Sequence, residues 1–258
     1  MRKKIKIIIS GCKGRMGKKL ILEIKKSKYF ELIGLTDKNP KGKINNIKIN
    51  TNNSDLIKKT DIIIDFSRPK ASIELINIAK KFKKKVVIGT TGFNEKQEKQ
   101  INKISKYIAI FKSGNMSLGI NFIEYLTYIL SKKIPNYYQI NITDNHHKKK
   151  KDYPSGTALM LAKAAALGKN KTLKSLKGKT FLNKKGNIKK NKINFFITRK
   201  GNTIGKHSVC FSNETENIEL KHVAFSRQIF AEGALTAAKW INNRNKGLFN
   251  MQDMFNIK

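Results

Sequence analysis

The stretch TDNHHKKKKDYPSGTALMLAKA, Thr143 to Ala164, holds the chain's most reactive grouping of side chains. His146 and His147 are two of only four histidines, and they stand side by side. Lys148 to Lys151 follow, then Asp152, then Pro154-Ser155-Gly156-Thr157 opening an alanine-rich run. A metal site is not expected. Neighbours on an extended segment point to opposite sides, no Cys or Glu stands at ligand spacing, and helical H-x-x-x-H is absent. A nucleic-acid patch would interleave aromatics or arginine, and only Tyr153 is near. A solvated lysine face accounts for the lysines, but not for two histidines beside a Ser-Gly-Thr helix start. The reading that uses most of the residues is proton chemistry beside an anion cradle. A histidine gives or takes a proton near neutral pH, and a lysine adds a point charge or a second proton. Gly156 lets a ligand approach the backbone. The free N–H groups of the helix start, with the Thr157 hydroxyl, suit a carboxylate or phosphate.

A redox partner for that site is written at the other end of the chain. IKIIISGCKGRMGKKLILEIKKS runs from a buried-strand pattern through Gly11, Gly14 and Gly17 into a helical pattern. The loop fits G-x-x-G-x-x-G, with Lys13 in the position a G-x-G-x-x-G motif gives to glycine. On its own it is compatible with a turn needed only for packing helix on sheet. Its context is stronger: it follows a strand, opens a helix, and Asp37 comes about 20 residues later at the end of a second strand. Glycines let the backbone approach a pyrophosphate, the helix N-terminus favours its charge, and Asp37 can accept from both ribose hydroxyls. The acid favours NAD, whereas adjacent Lys38 could pair a 2′-phosphate, so use of NADH and NADPH is open. Gly89-Thr90-Thr91-Gly92 and Ser113-Gly114-Asn115-Met116 each follow a predicted strand. Both are expected to line the nicotinamide side, although such turns are also ordinary strand–helix connections.

These groups need a scaffold. Apolar runs at Ile5–Ile9, FELIGLTDK, TDIIIDFS, VVIGTTGF and YIAIFKS alternate with helical patterns to about residue 115, which predicts an α/β fold with a parallel sheet covered on both faces. LGINFIEYLTYILSKK then reads as a helix, YYQINITD as a strand and the alanine-rich run as another helix. Residues 168–192 are rich in Lys, Asn and Gly and read as a mobile or irregular connection. INFFITRKG, KHSVCFS and IELKHVAFS read as antiparallel strands. QIFAEGALTAAKWINN reads as a closing helix with Trp240 on its apolar side.

Composition excludes several classes. The 258 residues are 39% hydrophobic, enough for a globular core. The formal charge of +38 comes almost wholly from lysine, since arginine occurs only at positions 2, 15, 68, 199, 227 and 244. Lysine, asparagine and isoleucine rising together is the mark of an AT-rich coding bias. A nucleic-acid reader would enrich arginine. No specific nucleic-acid partner is expected. Cys12 and Cys210 form no CxxC pair, which fits a reducing cytoplasm. No apolar run approaches the ~20 residues of a membrane span, and the apolar part of MRKKIKIIIS is too short for a signal segment and reads as the first strand.

The motifs G-C-K-G-R-M-G, D-F-S-R-P, V-I-G-T-T-G-F, N-M-S-L-G-I-N, H-H-K-K-K-K-D-Y-P-S-G-T-A, R-K-G-N-T-I-G-K-H and K-H-V-A-F-S-R-Q-I-F-A-E-G-A occur in that order. Over nearly its whole length the chain resembles the dihydrodipicolinate reductase family, the 4-hydroxy-tetrahydrodipicolinate reductases of the diaminopimelate route to lysine. The resemblance implies a doubly wound nucleotide-binding domain, residues 1–117 with 228–258. It implies a smaller mixed α/β domain, 118–227, that binds substrate and builds a homotetramer. It implies that His146 is the proton donor and acceptor, Lys150 a second proton donor and His147 a substrate neighbour, with Ser155, Gly156 and Thr157 about a substrate carboxylate. The cofactor, NADH or NADPH, would lie on Gly11, Cys12, Lys13, Gly14, Arg15, Met16, Asp37, Lys38, Gly89, Thr90, Thr91, Ser113, Gly114, Asn115 and Met116. The chain departs from the family at Asp144, where members usually carry Glu, and at Met116, where some carry an aromatic. The lysine surface is expected to bind nucleic acid weakly and without sequence preference. Retention on a DNA column should vanish at physiological salt, and tight binding there would revive a nucleic-acid function.

Overall fold

The computed structural model describes residues 3–52 and 54–256 and divides them into two compact units. The first runs to Ser117 and resumes at Arg227, and the second is Leu118–Ser226. Met1 and Arg2, at the head of the stretch read as the first strand, and residues 257–258, the end of the expected nucleotide domain, lie outside the described residues.

The first unit opens with β1 (Ile5–Ser10), α1 (Arg15–Lys26) and β2 (Phe30–Thr36). A hairpin of β3 (Lys43–Ile44) and β4 (Ile47–Asn50) follows, turned through Asn45 and Asn46, both at positive φ. Next come α2 (Ser54–Lys59), β5 (Ile62–Asp65), α3 (Pro69–Lys81), β6 (Lys85–Ile88), α4 (Glu95–Ser105) and β7 (Ala109–Lys112). Proline at the first position of α3 and the Asn94/Gln97 capping box of α4 fix where those helices start.

The second unit comprises α5 (Leu118–Lys133), β8 (Gln139–His146), α6 (Gly156–Gly168), α7 (Leu173–Leu176), β9 (Lys177–Leu182), β10 (Ile193–Arg199), β11 (Gly205–Ser212) and β12 (Asn217–Ala224). The chain then returns to the first unit with α8 (Gln228–Ile241), β13 (Gly247–Phe249) and α9 (Met251–Met254).

Among the described residues the first unit holds an eight-stranded sheet, ordered β13-β7-β6-β5-β1-β2-β4-β3. Its pairs are parallel except β3–β4. The central strands are apolar on both faces: Ile7–Ile9, Ile62–Ile64 and Val86–Ile88 are fully buried, as expected of strands covered by helices above and below. Each such side chain contributes roughly 1.5–3 kcal/mol on burial. The order reverses beside β1, so the ends of β1 and β5 form the crevice where ligands of such sheets bind. Trp240 of α8 meets Phe111 and Phe249 edge-on, closing the far end of the sheet.

The second unit is a five-stranded sheet, β12-β11-β8-β10-β9, with α5 and α6 packed on one face. β8 alternates strictly, so Ile140, Ile142, Asp144 and His146 turn toward the helices. Three expectations are corrected here. β10 is not antiparallel: it runs parallel to both β8 and β9, and only β11 runs against the other four strands, antiparallel to β8 and β12. The helix after β8 and the segment before β10 return the chain to the same end of the sheet, and apolar patterning does not record that direction. Residues 168–192 are not wholly irregular. Thr172 caps α7, and β9 adds a strand whose Phe181 packs on Phe196. Polar lysines on the exposed positions of that edge strand conceal its alternation. α8 does not close the chain, since β13 pairs with β7 beyond it, too short to read as a strand.

No described helix is long and apolar enough to cross a membrane. Within α5, burial pushes the Glu124 carboxyl up to about 7 from its usual 4.5. The folded protein then holds that proton more tightly than the unfolded chain. The associated stabilisation is full below about pH 4.5, declines as pH rises and is lost through about pH 7. Thermal unfolding should show the wild-type melting temperature falling relative to Glu124→Gln between about pH 5 and about pH 8; parallel curves would exclude this carboxyl as the cause.

Candidate active site

In the first unit, the loop after β1 turns through Gly11 at φ +77°, and the N–H groups of Gly11 and Cys12 both bond the Thr36 carbonyl. Lys13 N–H donates to Oδ2 of Asp37 at 3.1 Å, and Gly14 N–H to the Gly11 carbonyl. α1 therefore begins at Arg15 with its first-turn N–H groups as the available donors. No side chain caps it and no acid stands in its first turn, which is the arrangement that receives a phosphate. Burial pushes the Cys12 thiol up to about 11, so it contributes backbone and packing rather than reactivity.

A cavity of about 540 Å³ opens beside this loop, bordered by Gly11, Lys13, Gly14, Asp37, Lys38 and Arg68. A second, of about 290 Å³, is bordered by Arg15, Met16, Gly89 and Ser113 to Met116, with Arg227 and Phe230. Thr90 is buried beneath, while Thr91 is exposed. A buried carboxyl organises this end of the sheet. Asp65 accepts from the hydroxyls of Ser67 (2.5 Å), Thr90 (3.0 Å) and Ser72. Thr90 Oγ1 in turn accepts from Ser67 N–H at 2.9 Å. Burial raises the Asp65 pKa against the effect of these donors.

The second unit gathers the histidine segment about Asp144, which is completely buried at the end of β8. Nδ1 of His146 lies 2.7 Å from its Oδ1, and Nε2 of His207, from β11, lies 3.4 Å from the same oxygen. Oδ2 accepts from Ser155 N–H at 2.7 Å and from Nη2 of Arg199 at 3.0 Å. Arg199 also donates to the carbonyls of Asp144 and Asp152, both at 2.9 Å. Burial alone would raise the Asp144 carboxyl. The contacts with His146 and His207, the Ser155 N–H and Arg199 together outweigh it and hold the group far below the usual carboxylate range. Burial, only partly offset by Asp144, lowers the His207 pKa, favouring neutral imidazole.

Of the four consecutive lysines, Lys148, Lys149 and Lys151 are exposed. Lys150 is half-buried, with Nζ 2.8 Å from the exposed Asp152. His147 is half-buried, its N–H bonded to the Thr203 carbonyl. Ser155 is the N-cap of α6, its hydroxyl accepting from Ala158 N–H and 3.2 Å from Nε2 of His207. Gly156, exposed, and Thr157, half-buried, follow in the first turn. The ligand atoms of Asp144, His146 and His207 lie within 4.8 Å of one another, close enough for a metal ion. The guanidinium on Asp144 opposes a cation there, and the carboxylate's other oxygen is already engaged, so the cluster fits proton handling better.

Arg199, His207, Arg68 and Arg227 border these cavities or the Asp144 cluster, and spacing did not reveal them. A signal was present. In a chain of 49 lysines and six arginines, Arg15, Arg68, Arg199 and Arg227 all border a cavity or the histidine cluster. Where lysine substitutes freely, a remaining arginine marks a position needing a planar, multiply donating cation.

Two family models match the chain: dihydrodipicolinate reductase, N-terminus, over residues 5–116, and dihydrodipicolinate reductase, C-terminus, over residues 119–255. The 4-hydroxy-tetrahydrodipicolinate reductase of Pelagibacter ubique (strain HTCC1062) is 52% identical over 257 residues, covering 99% of this chain and 100% of that one. The protein of the same name from Buchnera aphidicola subsp. Cinara cedri is 45% identical over 271 residues, covering 98% of each. In fold, the chain is similar to dipicolinate-bound dihydrodipicolinate reductase from Paenisporosarcina sp. TG-14, with a TM-score of 0.80 at 20% identity over 98% of this chain and 99% of that one.

A Cβ at residue 11 would collide with the Phe66 carbonyl oxygen, and the positive φ is itself unfavourable for alanine. Such strain costs about 1–3 kcal/mol. Titration calorimetry of Gly11→Ala should therefore show NADH affinity reduced on the order of tenfold or more, and an unchanged affinity would place the nucleotide elsewhere.

Proposed function

The chain belongs to the dihydrodipicolinate reductase family, and from that premise we propose that it reduces 4-hydroxy-tetrahydrodipicolinate to tetrahydrodipicolinate with NADH or NADPH, in lysine biosynthesis through diaminopimelate. The observation that carries the reading is the Asp144 carboxylate. It ties the proton-handling His146 to the N–H of Ser155 at the start of α6, so a proton group and an anion cradle are held as one piece.

The first unit is the nucleotide domain. Its donor set fits a dinucleotide: first-turn N–H groups of α1 for the pyrophosphate, Asp37 for the ribose, and the loops at Gly89–Thr91 and Ser113–Met116 for the nicotinamide side. Lys38 and Arg68 border the cavity that Asp37 borders, so a 2′-phosphate would find cations and a plain ribose an acceptor, which supports use of both cofactors. When bound, the dinucleotide supplies the hydride.

The second unit is the substrate domain. The N–H groups of Gly156 and Thr157 at the open end of α6, with the Thr157 hydroxyl, receive one carboxylate of the cyclic substrate, and Ser155 fixes that helix start as its cap. His147 and Lys150 face the substrate, Lys150 as a second proton donor. His146 delivers a proton to the ring carbon next to the one reduced, and the hydroxyl leaves as water. Holding the carboxylates orients the ring, an entropic contribution. We further infer assembly into a homotetramer through this unit. β8 presents half-buried Gln139, Asn141, Thr143 and Asn145 on the sheet face opposite α5 and α6, a polar ladder suited to another protein surface. A cytoplasmic setting fits a biosynthetic reductase.

The test is a coupled assay in which the purified protein oxidises NADH or NADPH only when given freshly made product of the preceding synthase. His146→Gln and Lys150→Ala should each lower kcat by roughly 10²–10⁴-fold with NADH affinity nearly unchanged. No oxidation by the folded wild type would overturn the enzyme reading in favour of a nucleotide-binding protein without chemistry.

A further inference from the structure

We propose that Asp144 is a positioning residue that locks His146 in the tautomer protonated at Nδ1, leaving Nε2 as the nitrogen that exchanges protons with substrate, and that Arg199 aims Asp144 for this task. The inference rests on the proton role of His146 given above.

The two oxygens of Asp144 are engaged by different kinds of partner. Oδ2 meets only donors, the Ser155 N–H at 2.7 Å and the Arg199 guanidinium at 3.0 Å. Both always carry hydrogens, so Oδ2 must be an acceptor. Arg199 is held in turn by the carbonyls of Asp144, Asp152 and Thr198. Oδ1 is thereby turned toward the two imidazoles, 2.7 Å from Nδ1 of His146 and 3.4 Å from Nε2 of His207. Oδ1 and Nδ1 of His146 are close but not in line for a hydrogen bond in this structure. A carboxylate cannot donate, so at this distance a hydrogen on Nδ1 is what the ion favours.

The other nitrogen lies beside a glycine. An ideal Cβ on Gly205 would stand 3.3 Å from Nε2 of His146 and 3.3 Å from Cε1 of His207. Glycine there keeps Nε2 unobstructed, where any side chain would crowd it. When His146 protonates substrate, the Nε2–H bond breaks, the new C–H bond forms and the electron pair remains on Nε2. The Nδ1 proton does not move, because Asp144 stays ionised against Arg199. The groups facing this carboxylate are His146, His207 and Arg199, with the Lys150–Asp152 pair next to them.

The substitution Asp144→Asn separates this role from a merely structural one. Ser155 and Arg199 would hold the amide oxygen in place of Oδ2, which turns the amide NH₂ onto Nδ1 of His146 and inverts the tautomer. In ¹⁵N spectra of histidine-labelled protein, with His146→Gln identifying the signal, wild type should show Nδ1–H and Asp144→Asn should show Nε2–H. kcat should fall on the order of 10²–10⁴-fold, with NADH Kd and substrate KM within about threefold, and Asp144→Glu should restore much of the loss. An unchanged tautomer, or an Asn variant as active as wild type, overturns the inference. Should Asp144→Asn fail to fold, Gly205→Ala tests the other nitrogen: kcat should drop at least tenfold with NADH Kd unchanged, and full activity would overturn the inference. Wild-type turnover and its loss in His146→Gln test the family reaction separately, so an active enzyme indifferent to Asp144 defeats only this inference.

Discussion

A carboxylate without solvent contact is costly unless each oxygen is engaged, and stripping one partner from such a pair typically costs about 3–5 kcal/mol. Residues from four places in the chain surround Asp144: Ser155 at the start of α6 and Arg199 at the end of β10 hydrogen-bond Oδ2, while His146 on its own strand and His207 on β11 lie against Oδ1 without an aligned hydrogen bond. The constraint runs both ways. The ion needs all four, and the four are held in one arrangement because the ion needs them. The parallel pairing of β10 with β8 puts Arg199 opposite His146, and the antiparallel pairing of β11 with β8 puts His207 opposite Asp144. The topology of the second sheet is thus the means of assembling this cluster of carboxylate, imidazoles and guanidinium.

The first unit solves a similar problem differently. Asp65 is also fully buried at a strand end, but its partners are hydroxyls from the loop after β5, from α3 and from Thr90. With no guanidinium beside it, burial prevails and its pKa rises, whereas that of Asp144 falls. The two carboxyls show which effect wins: neutral donors fix geometry without fully stabilising charge, and a planar cation with two imidazoles and an N–H secures the ion. Asp65 braces the turns that border the nucleotide cavities, where shape matters more than charge. Asp144 faces two imidazoles, where a fixed negative charge favours a hydrogen on the facing nitrogen.

The net charge of +38 is carried mostly by exposed lysines that take no part in these networks. It raises the local concentration of anionic ligands through the long-range field, while the directed contacts fall to the few arginines. Lysine is a flexible, strongly hydrated point charge, suited to a solvated surface. The fork of Arg199 spans a carboxylate and several carbonyls at once, which an ammonium could not reproduce.

Local pattern was enough to recover much of the chain. Unbroken isoleucine runs need burial on both faces, so the parallel sheet was legible. Gly11, Gly14 and Asp37 have meaning at their spacing because a strand, a turn and a helix start fix their relative positions within a few residues. The same holds for His146, Lys150 and the Ser155-Gly156-Thr157 helix start. What escaped had no local mark. The direction of β10 depends on where the intervening chain crosses, and β9 and β13 are edge strands whose pairing comes from partners distant in sequence. Arg199 and His207 lie 55 and 63 residues beyond Asp144, joined to it only by strand register. Sequence alone determined which residues can do chemistry, because reactivity belongs to side-chain type and short-range spacing. Tertiary structure decided that Arg199 and His207 meet the carboxylate that His146 faces, because that depends on long-range strand pairing.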